Sequence, residues 1–484
     1  MITYSIEELH ELLKSGQLDI YQYYDELFKE MDFQQERLNA FVTLTKDYAY
    51  KNLDILKWDG LLNHIPFVLK DNFSTKDIKT TASSQMLNNY IPVFNAHVVN
   101  QLYQHGAILT AKASMDELGM GNSNKTALTG PVRNPWDVNR IAGGSSGGSV
   151  AAVASGVVPF ALGTDTGDSI RKPAGYCGVV GFKPTWGRIS RYGVIPYASS
   201  LDHVGAITRN VRDMAIVIGV LSGRDDKDMT SSFKEVPHYL KNLDSNIQGI
   251  KIAVLKTVND EVKNPKIKEN FESILQILRE KRTILEEVEI DKELLKCVLP
   301  TYTIIANCEA LSNHSCLDGI KYGNRQDGQG IEDIMIQSRT HGFSSSIKRR
   351  FILGSIALAS ENQEKMFRKA QKVRRIIVDE VNCILSKYDI IITPNSGKIA
   401  PLLEEEEDRL SDEYIILENH LMLGNFTGTP CMSLPCGFVD NMPISIQLMG
   451  RLFEEQKVFN VAYALEEVLG FKNQYCKGKD KDEV

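Results

Sequence analysis

Two segments rich in glycine and serine lie close together in this chain of 484 residues, and they restrict its local folding more than any other feature. Residues 143–149 read GGSSGGS and contain Ser145, and residues 163–171 read GTDTGDSIR and contain Ser169. Glycine allows a backbone to pass close to other atoms and to direct its N–H groups toward a developing anion. We therefore expect both serines to lie on loops that approach a substrate closely.

A lysine upstream of both loops completes a candidate catalytic set. Residues 65–69 are apolar, which is typical of a short buried strand, and they would place Lys70 at its end. A lysine in water has a pKa of about 10.4, so Lys70 could accept a proton near neutral pH only if burial lowered its pKa. A single lysine at a strand end is usually a surface residue. The combination with Ser145 and Ser169 suggests a base, a proton relay and a nucleophile.

The composition favours a cytoplasmic globular protein. The chain is 43% hydrophobic and 24% charged, and its net charge of −7 argues against a broad basic surface for nucleic acid. We see no apolar run of the length needed to cross a bilayer and no signal-peptide pattern at the start. The eight cysteines are scattered without a C-x-x-C pair, so we expect reduced, buried thiols and no metal or cofactor in this chain.

Helical and strand patterns alternate along the chain. Ser5 and Glu8 form a capping-box pattern at the start of a helix. Residues 249–255 and 288–290 suggest strands, and residues 266–281 between them suggest an amphipathic helix. No linker marks a boundary, so we predict one α/β domain over residues 1–475, followed by a charged tail at 476–484.

The loop at 143–149 permits other interpretations when it is taken alone. Residues 143–147 match G-x-S-x-G, but residues 140–142 are too short for the strand that a nucleophile elbow requires. Neither glycine-rich phosphate-binding pattern fits this segment. A purely structural loop remains an alternative.

Taken together, the motifs resemble the amidase signature family. Lys70, Ser145 and Ser169 are 75 and 24 positions apart, and the segments at 178–188 and 199–205 fit the same pattern, so that the signature spans about residues 65–205. Five segments resemble, within the family, the glutaminase subunits of tRNA-dependent amidotransferases: residues 189–193 inside this span, and residues 318–323, 347–350, 369–374 and 433–437 beyond it. The resemblance implies a single large α/β domain with a central mixed β-sheet flanked by helices.

The resemblance also implies the roles of individual residues. Ser169 would be the nucleophile, Ser145 the bridging hydroxyl on a cis peptide, and Lys70 the base. The implied oxyanion hole consists of the backbone N–H groups of Thr166, Gly167, Asp168 and Ser169. Glutamine would be held at its carboxylate by Arg349, with Arg350 as the alternative, and at its amino group by Glu418.

One position departs from the family pattern. The family usually has Gly-Gly-Ser at the nucleophile, and this chain has Gly167-Asp168-Ser169. A carboxylate beside a developing oxyanion is unfavourable unless it turns away, for example toward Arg171 or Lys172. We therefore expect Asp168→Gly to leave glutamine hydrolysis similar or faster. A degenerate, non-catalytic interaction subunit is one alternative that follows from this departure.

The implied reaction is hydrolysis of glutamine through a glutamyl ester on Ser169. The released ammonia would pass to a partner, the B subunit of the amidotransferase, where glutamate on tRNA(Gln) is amidated with ATP and Mg²⁺, and a small C subunit would bind alongside. The tRNA would be bound mainly by the B subunit, and no membrane is involved. A stand-alone amidase that acts on small amides is the other alternative.

Overall fold

The strands of this computed structural model form one mixed sheet. The structure describes residues 3–54, 60–405, 408–476 and 478. The strands within them are β1 (Phe41–Leu44), β2 (Pro66–Lys70), β3 (Ile108–Ala113), β4 (Phe160–Asp165), β5 (Val180–Lys183), β6 (His203–Thr208), β7 (Lys251–Leu255), β8 (Ile284–Val288), β9 (Ile390–Pro394), β10 (Cys431–Val439) and β11 (Met442–Gly450). Their order in the sheet is β1-β3-β2-β4-β6-β5-β10-β11-β9-β7-β8.

Parallel and antiparallel pairs alternate in blocks across the sheet. Strand β2 runs parallel to both β3 and β4, and β7 runs parallel to both β8 and β9. The strands between these two blocks pair antiparallel. The predicted α/β domain with a central mixed sheet is therefore confirmed.

Helices flank this sheet and supply the rest of the core. They are α1 (Ile6–Lys14), α2 (Ile20–Leu38), α3 (Lys46–Leu53), α4 (His97–Gln104), α5 (Gly147–Ala154), α6 (Arg171–Cys177), α7 (Val211–Leu221), α8 (Lys256–Asn259), α9 (Pro265–Glu280), α10 (Lys292–Lys296), α11 (Val298–Asn313), α12 (Ile331–Gly342), α13 (Ser345–Leu358), α14 (Lys369–Lys387), α15 (Leu423–Thr427) and α16 (Glu455–Leu469). The predicted capping box starts α1: Ser5 Oγ accepts from Glu8 N at 3.3 Å, and Glu8 Oε2 accepts from Ser5 N at 2.8 Å.

Two local expectations need correction. The strand expected at 288–290 lies at Ile284–Val288 instead, because this edge strand exposes its charged residues and the apolar Ile290 is buried just beyond it. The cysteines are free thiols in the structure, but they are not uniformly buried, since Cys383 is exposed. Most of the predicted tail, residues 477 and 479–484, lies outside the described residues.

One segment has the length and composition of a membrane span, which the sequence analysis did not anticipate. Lys292–Asn313 has a mean hydropathy of 1.2. In the fold this segment forms α10 and α11, and α11 packs against α13 and α14. We interpret it as a helix of the protein core, which length and hydropathy alone do not distinguish from a span.

The parallel pairing of β2 with β4 positions the candidate site. Neighbouring parallel strands end at the same edge of a sheet, so the ends of β2 and β4 bring Lys70 next to the loop that follows Asp165. Helix α5 starts at Gly147, inside the GGSSGGS segment and two residues after Ser145, and all its residues are buried. A Cβ at Gly148 would lie 2.3 Å from the Ala40 carbonyl oxygen, so only glycine allows this close approach.

A buried ion pair fixes the segment that follows Lys70. Lys112 Nζ lies 3.2 Å from Asp71 Oδ1, and both side chains are inaccessible to solvent. Lys112 also donates to the Phe73 carbonyl oxygen at 2.9 Å and to Thr80 Oγ1 at 2.8 Å, and Asp71 Oδ2 accepts from Thr81 N at 2.8 Å. The pair thus ties β3 to the turn after β2.

Removing one partner of this pair is expected to destabilise the fold. Asp71→Asn leaves the Lys112 ammonium buried without its counter-charge, which costs about 3–5 kcal/mol in the free energy of unfolding. Urea denaturation of the full chain measures the change. The exposed pair Arg375–Asp379 on α14 is the control, and Asp379→Asn should leave the midpoint unchanged. Equal midpoints for the two variants would contradict the prediction.

Candidate active site

Lys70 reaches the first serine loop from the end of β2. Its Nζ lies 2.8 Å from Ser145 Oγ and 2.9 Å from Ser146 Oγ, and it contacts Thr164 through Oγ1 at 3.0 Å and through the carbonyl oxygen at 3.2 Å. The side chain of Lys70 is inaccessible to solvent. Every polar contact of this amine is therefore with a hydroxyl or a carbonyl group.

Burial lowers the pKa of Lys70 to about 7, since the ammonium loses its hydration in this environment. The negative charges of Asp116, Asp165 and Asp202 oppose the shift, but these carboxylates act from a distance. An amine with this pKa is substantially neutral at physiological pH. It can therefore accept a proton, which a solvated lysine rarely does.

The hydrogen bonds around Lys70 have a definite direction. Ser146 Oγ donates to the Thr164 carbonyl oxygen at 3.1 Å, so its proton is engaged and it can only accept from Lys70. The Thr164 carbonyl is likewise an acceptor only. A neutral amine has two N–H groups, and the Ser146 hydroxyl and the two oxygens of Thr164 are enough to accept both, so that the lone pair of a neutral Lys70 could accept the proton of Ser145.

The backbone of the first loop is held tightly around Ser145. The Gly144–Ser145 peptide is cis, and Asp116 N donates to the Ser145 carbonyl oxygen at 3.2 Å. A Cβ at position 144 would lie 2.1 Å from Asp116 Oδ2. Only glycine fits at position 144, because a side chain there would clash with Asp116.

The second loop places Ser169 next to the first loop. Ser146 N donates to the Ser169 carbonyl oxygen at 3.1 Å, which brings the two loops together. Ser169 is 3% exposed, and within the described residues its hydroxyl makes no hydrogen bond. The hydroxyl of Ser145 is bound to Lys70, but the hydrogen bond from Ser169 to Ser145 that the expected proton relay requires is not formed among the described residues.

A buried arginine shapes the nucleophile loop. Arg171 Nη2 lies 2.9 Å from Asp165 Oδ1, and Asp165 Oδ2 accepts from Ile170 N at 3.0 Å. The guanidinium also donates to the Leu421 carbonyl oxygen at 2.8 Å and to Asn425 Oδ1 at 2.7 Å. Although burial acts in the opposite direction, the Arg171 charge holds the pKa of Asp165 well below its usual range.

The backbone amides of the loop are free to bind an anion. In the part of the chain that the structure describes, the N–H groups of Gly167, Asp168 and Ser169 have no hydrogen-bond acceptor. Thr166 is fixed through its side chain, since its Oγ1 donates to Asp202 Oδ1 at 2.7 Å. Free amides beside a serine hydroxyl are the arrangement that stabilises an oxyanion.

Asp168 turns toward Lys172, one of the two directions expected from the sequence. Its Oδ2 lies 3.6 Å from Lys172 Nζ, and Lys172 is closer to Glu418, at 3.1 Å from Oε2. Burial raises the pKa of Asp168 to about 6, and Lys172 only partly opposes this shift.

Glu418 is fully engaged by protein donors. Its Oε1 accepts from Ser396 Oγ at 2.8 Å and from Gly397 N at 3.0 Å, and its Oε2 accepts from Lys172 and, at 3.3 Å, from Tyr176 OH. Although burial acts to raise it, the pKa of Glu418 is lowered, chiefly by the Lys172 charge. The residue expected to bind the substrate amino group thus already has a cationic partner.

The two candidate arginines on α13 lie in different environments. Arg349 is exposed, whereas Arg350 Nη1 donates to Tyr197 OH at 3.2 Å. Tyr197 packs edge-on against Tyr302 with ring centroids 6.5 Å apart, and Tyr302 covers Gly167 so closely that a Cβ there would lie 3.1 Å from its ring. Arg350 is therefore connected to the nucleophile loop through two aromatic rings.

A cavity of about 340 Å³ lies beside the nucleophile loop. The two serines do not line it, but Lys172, Tyr176 and Glu418 form part of its wall, and Lys172 connects it to Asp168. The lining of this cavity also contains three other charged side chains: Lys125, Glu405 and Arg409. Within the described residues there is no cluster of three or more histidine, cysteine or acidic side chains that could hold a metal ion.

Several site residues had no recognisable sequence signal. Ser146 lies in the GGSSGGS segment, but only the structure shows that it contacts Lys70. Thr164 contacts the same amine, and its place two residues before Thr166 in the second loop is the only hint. Tyr302 comes from α11, more than 100 residues beyond the nucleophile loop, and no motif marks it.

The chain is similar over nearly its full length to the A subunits of glutamyl-tRNA(Gln) amidotransferases. The chain is 38% identical over 479 residues to the A subunit of the glutamyl-tRNA(Gln) amidotransferase of Sulfurihydrogenibium sp. (strain YO3AOP1), covering 97% of this chain and 98% of the relative. It is 39% identical over 484 residues to the protein of the same name from Geobacillus thermodenitrificans, covering 98% and 99%.

Solved structures and a family model agree with the relatives. The crystal structure of the A subunit of the glutamyl-tRNA(Gln) amidotransferase from Thermotoga maritima matches with a TM-score of 0.80 at 37% identity, covering 96% of this chain and 94% of that one. An amidase crystal structure matches with a TM-score of 0.81 at 29% identity, covering 96% and 100%. The family model for amidases matches residues 24–459, so this chain belongs to the amidase family.

Proposed function

We propose that this chain is the glutamine-hydrolysing component of a glutamyl-tRNA(Gln) amidotransferase. The observation that carries the proposal is the buried Lys70 amine at 2.8 Å from Ser145 Oγ, on a loop joined to that of Ser169. Similarity to the A subunits of such enzymes over nearly the full length supports the same activity. The protein would act in the cytoplasm.

The proposed reaction starts when the Ser169 hydroxyl, which makes no hydrogen bond within the described residues, turns to Ser145, so that its proton can pass through Ser145 to Lys70. The Ser169 oxygen attacks the side-chain carbonyl carbon of glutamine, and the resulting oxyanion would be bound by backbone amides of residues 166–169, of which those of residues 167–169 are free. The proton returns through Ser145 to the departing nitrogen, and ammonia leaves as the C–N bond breaks. Water then attacks the glutamyl ester by the same proton relay, which releases glutamate and restores Ser169.

Arg350 is the better candidate for the substrate carboxylate. A guanidinium binds a carboxylate through two parallel hydrogen bonds. Arg350 is partly buried and connected to the nucleophile loop through Tyr197 and Tyr302, whereas Arg349 faces solvent. The sequence alone favoured Arg349, because matching by position cannot distinguish adjacent residues on a helix.

The partners in the proposed complex are the B and C subunits of the amidotransferase. The B subunit would bind ATP, Mg²⁺ and most of the tRNA, and this chain would supply ammonia to it. The net charge of −7 supports this division, since an acidic surface does not attract a polyanion. The amidation site on the B subunit would then consume ammonia rather than glutamine.

The reconstituted complex provides the decisive experiment. With Ser169→Ala, glutamine-dependent amidation of Glu-tRNA(Gln) should fall by at least about a thousandfold, because no acyl-enzyme forms. Added ammonium salts should restore amidation, since the amidation site on the B subunit is unchanged. Ser273→Ala, an exposed serine on α9, is the control. Full activity of Ser169→Ala with glutamine would refute the proposed nucleophile, and glutaminase activity that ignores the partners would favour a stand-alone amidase.

The pH dependence should report the ionisation of Lys70. Because the base must be neutral and burial lowers the pKa of Lys70 to about 7, kcat/KM for glutamine should rise with pH and level off above that value. Below about pH 6 it should fall roughly tenfold for each pH unit. Stopped ammonia-release assays between pH 5.5 and 9 measure the profile. A pH-independent rate across this range would contradict a lysine base.

The adjacent arginines offer a matched pair of variants. Arg350→Ala should raise KM for glutamine about 10-fold to 100-fold, because a charge-assisted hydrogen bond contributes about 1.5–3 kcal/mol. Arg349→Ala should leave KM unchanged, since this side chain is exposed. Initial rates of ammonia release over a range of glutamine concentrations compare the two. The opposite result would assign the carboxylate to Arg349.

A further inference from the structure

Asn72 lies two residues after Lys70 and contacts the same hydroxyl group as that lysine. Its Nδ2 donates to Thr164 Oγ1 at 3.0 Å, and Lys70 Nζ lies 3.0 Å from the same oxygen. Both side chains are buried, since Asn72 is 4% exposed and Lys70 is inaccessible to solvent. One hydroxyl group therefore separates the amide of Asn72 from the amine of Lys70.

The bond to Thr164 is the one hydrogen bond that the Asn72 side chain makes within the described residues. Asn72 Oδ1 is buried and has no hydrogen-bond partner among them. A buried polar atom without a partner is unfavourable, and an apolar side chain of similar volume would avoid this cost. The stability of the fold therefore does not account for the amide, whose single contact is directed toward the base.

This contact restricts the rotation of the Thr164 hydroxyl. A hydroxyl oxygen can accept two hydrogen bonds. The Asn72 amide occupies one of these two positions, and the other faces Lys70. Thr164 is thereby held as an acceptor for an N–H group of neutral Lys70, which leaves the lone pair of the amine for the proton of Ser145.

Asn72 also occupies, without a charge, a position that a carboxylate would fit. The preceding residue, Asp71, places its carboxylate 3.2 Å from Lys112 Nζ. The segment after β2 thus supplies a counter-charge to Lys112 and an uncharged amide to Lys70. An opposite charge within about 4–6 Å stabilises an ammonium group, so a carboxylate at position 72 would favour protonated Lys70.

The charged groups around Lys70 and Thr164 do not contact the amine within the described residues. Three carboxylates act on Lys70 from a distance, and other protein groups bind each of them: Asp116, Asp165 and Asp202. Thr164 also lines a cavity of about 240 Å³, whose charged or titratable lining residues are Arg191, Asp202, His203, Lys227 and Asp228. Burial lowers the pKa of His203 well below its usual value, so this ring is neutral. The polar contacts of Lys70 are therefore uncharged, and Asn72 is an uncharged group directly beyond them.

We propose that Asn72 is a positioning residue for the base: its amide holds Thr164 as an acceptor for Lys70 and keeps a negative charge away from the amine. The inference rests on the proposed function, because a base is required only if Ser169 attacks an amide. Asn72 acts through Thr164 and does not itself take part in proton transfer.

The test compares the pH profiles of kcat/KM for glutamine in the reconstituted complex, with ammonia release as the readout. Asn72→Asp retains the volume of the side chain and adds a charge. Because the base acts in its neutral form, this charge should move the midpoint of the profile upward by about 1–2 pH units. At pH 7 the rate should fall about 5-fold to 50-fold, and at pH 9 it should be within about twofold of wild type.

A second variant separates the charge from the hydrogen bond. Asn72→Ala releases Thr164 without adding a charge, so the plateau rate should fall about threefold to tenfold while the midpoint stays within about 0.5 pH unit of wild type. Asn100→Asp, the same substitution at an exposed position on α4, is the control and should leave the whole profile unchanged.

The outcomes distinguish this inference from the proposed function. An unshifted midpoint in Asn72→Asp, an equal loss at every pH, or the same midpoint shift in Asn72→Ala would overturn the inference alone. If urea denaturation shows that Asn72→Asp does not fold, Asn72→Ala decides: a lower plateau at the wild-type midpoint supports the inference, and a wild-type plateau overturns it. If wild type releases no ammonia from glutamine in a Ser169-dependent manner, the proposed function fails, and the inference fails with it.

Discussion

The structure depends on the burial of one amine. Lys70 lies at the end of a central strand without access to solvent, and its contacts are hydroxyl and carbonyl groups rather than a carboxylate. Burial of an ammonium is unfavourable, and the fold tolerates it because the amine can lose its proton. Lys112, in the neighbouring strand, is equally buried but has Asp71 as a counter-charge. One lysine thus acts as a structural cation and the other is suited to act as a base.

The strands, glycines and free amides of the site are arranged so that two loops lie against the Lys70 amine. The parallel β2 and β4 end together, and glycines allow the first loop to pass close to Asp116 and the second to pack under Tyr302. The second loop keeps three amides free because its carboxylate, Asp165, binds Ile170 N and Arg171 instead. Backbone packing therefore holds the two loops of the site in place.

The sequence predicted the local elements well and the distant ones poorly. The strand before Lys70 and the helix at residues 266–281 are each continuous in the chain, so their hydrophobic patterns were sufficient to find them. Tyr302 and the choice between Arg349 and Arg350 depend on how α11 and α13 pack over the loop. The strand at Ile284–Val288 was misplaced because it lies at the sheet edge, where burial does not impose an apolar pattern.

Arg171 has a consequence for how the chain assembles. Its guanidinium is inaccessible, yet two of its partners, Leu421 and Asn425, are about 250 positions further along the chain. Until that late segment is synthesised and docked, this cation has no acceptors there and the loop it supports cannot reach its final form. A nascent or truncated chain that ends before these residues would contain both serines and the lysine without an ordered site. The complete set of acceptors for Arg171 therefore forms only when the segment with Leu421 and Asn425 has folded onto the nucleophile loop.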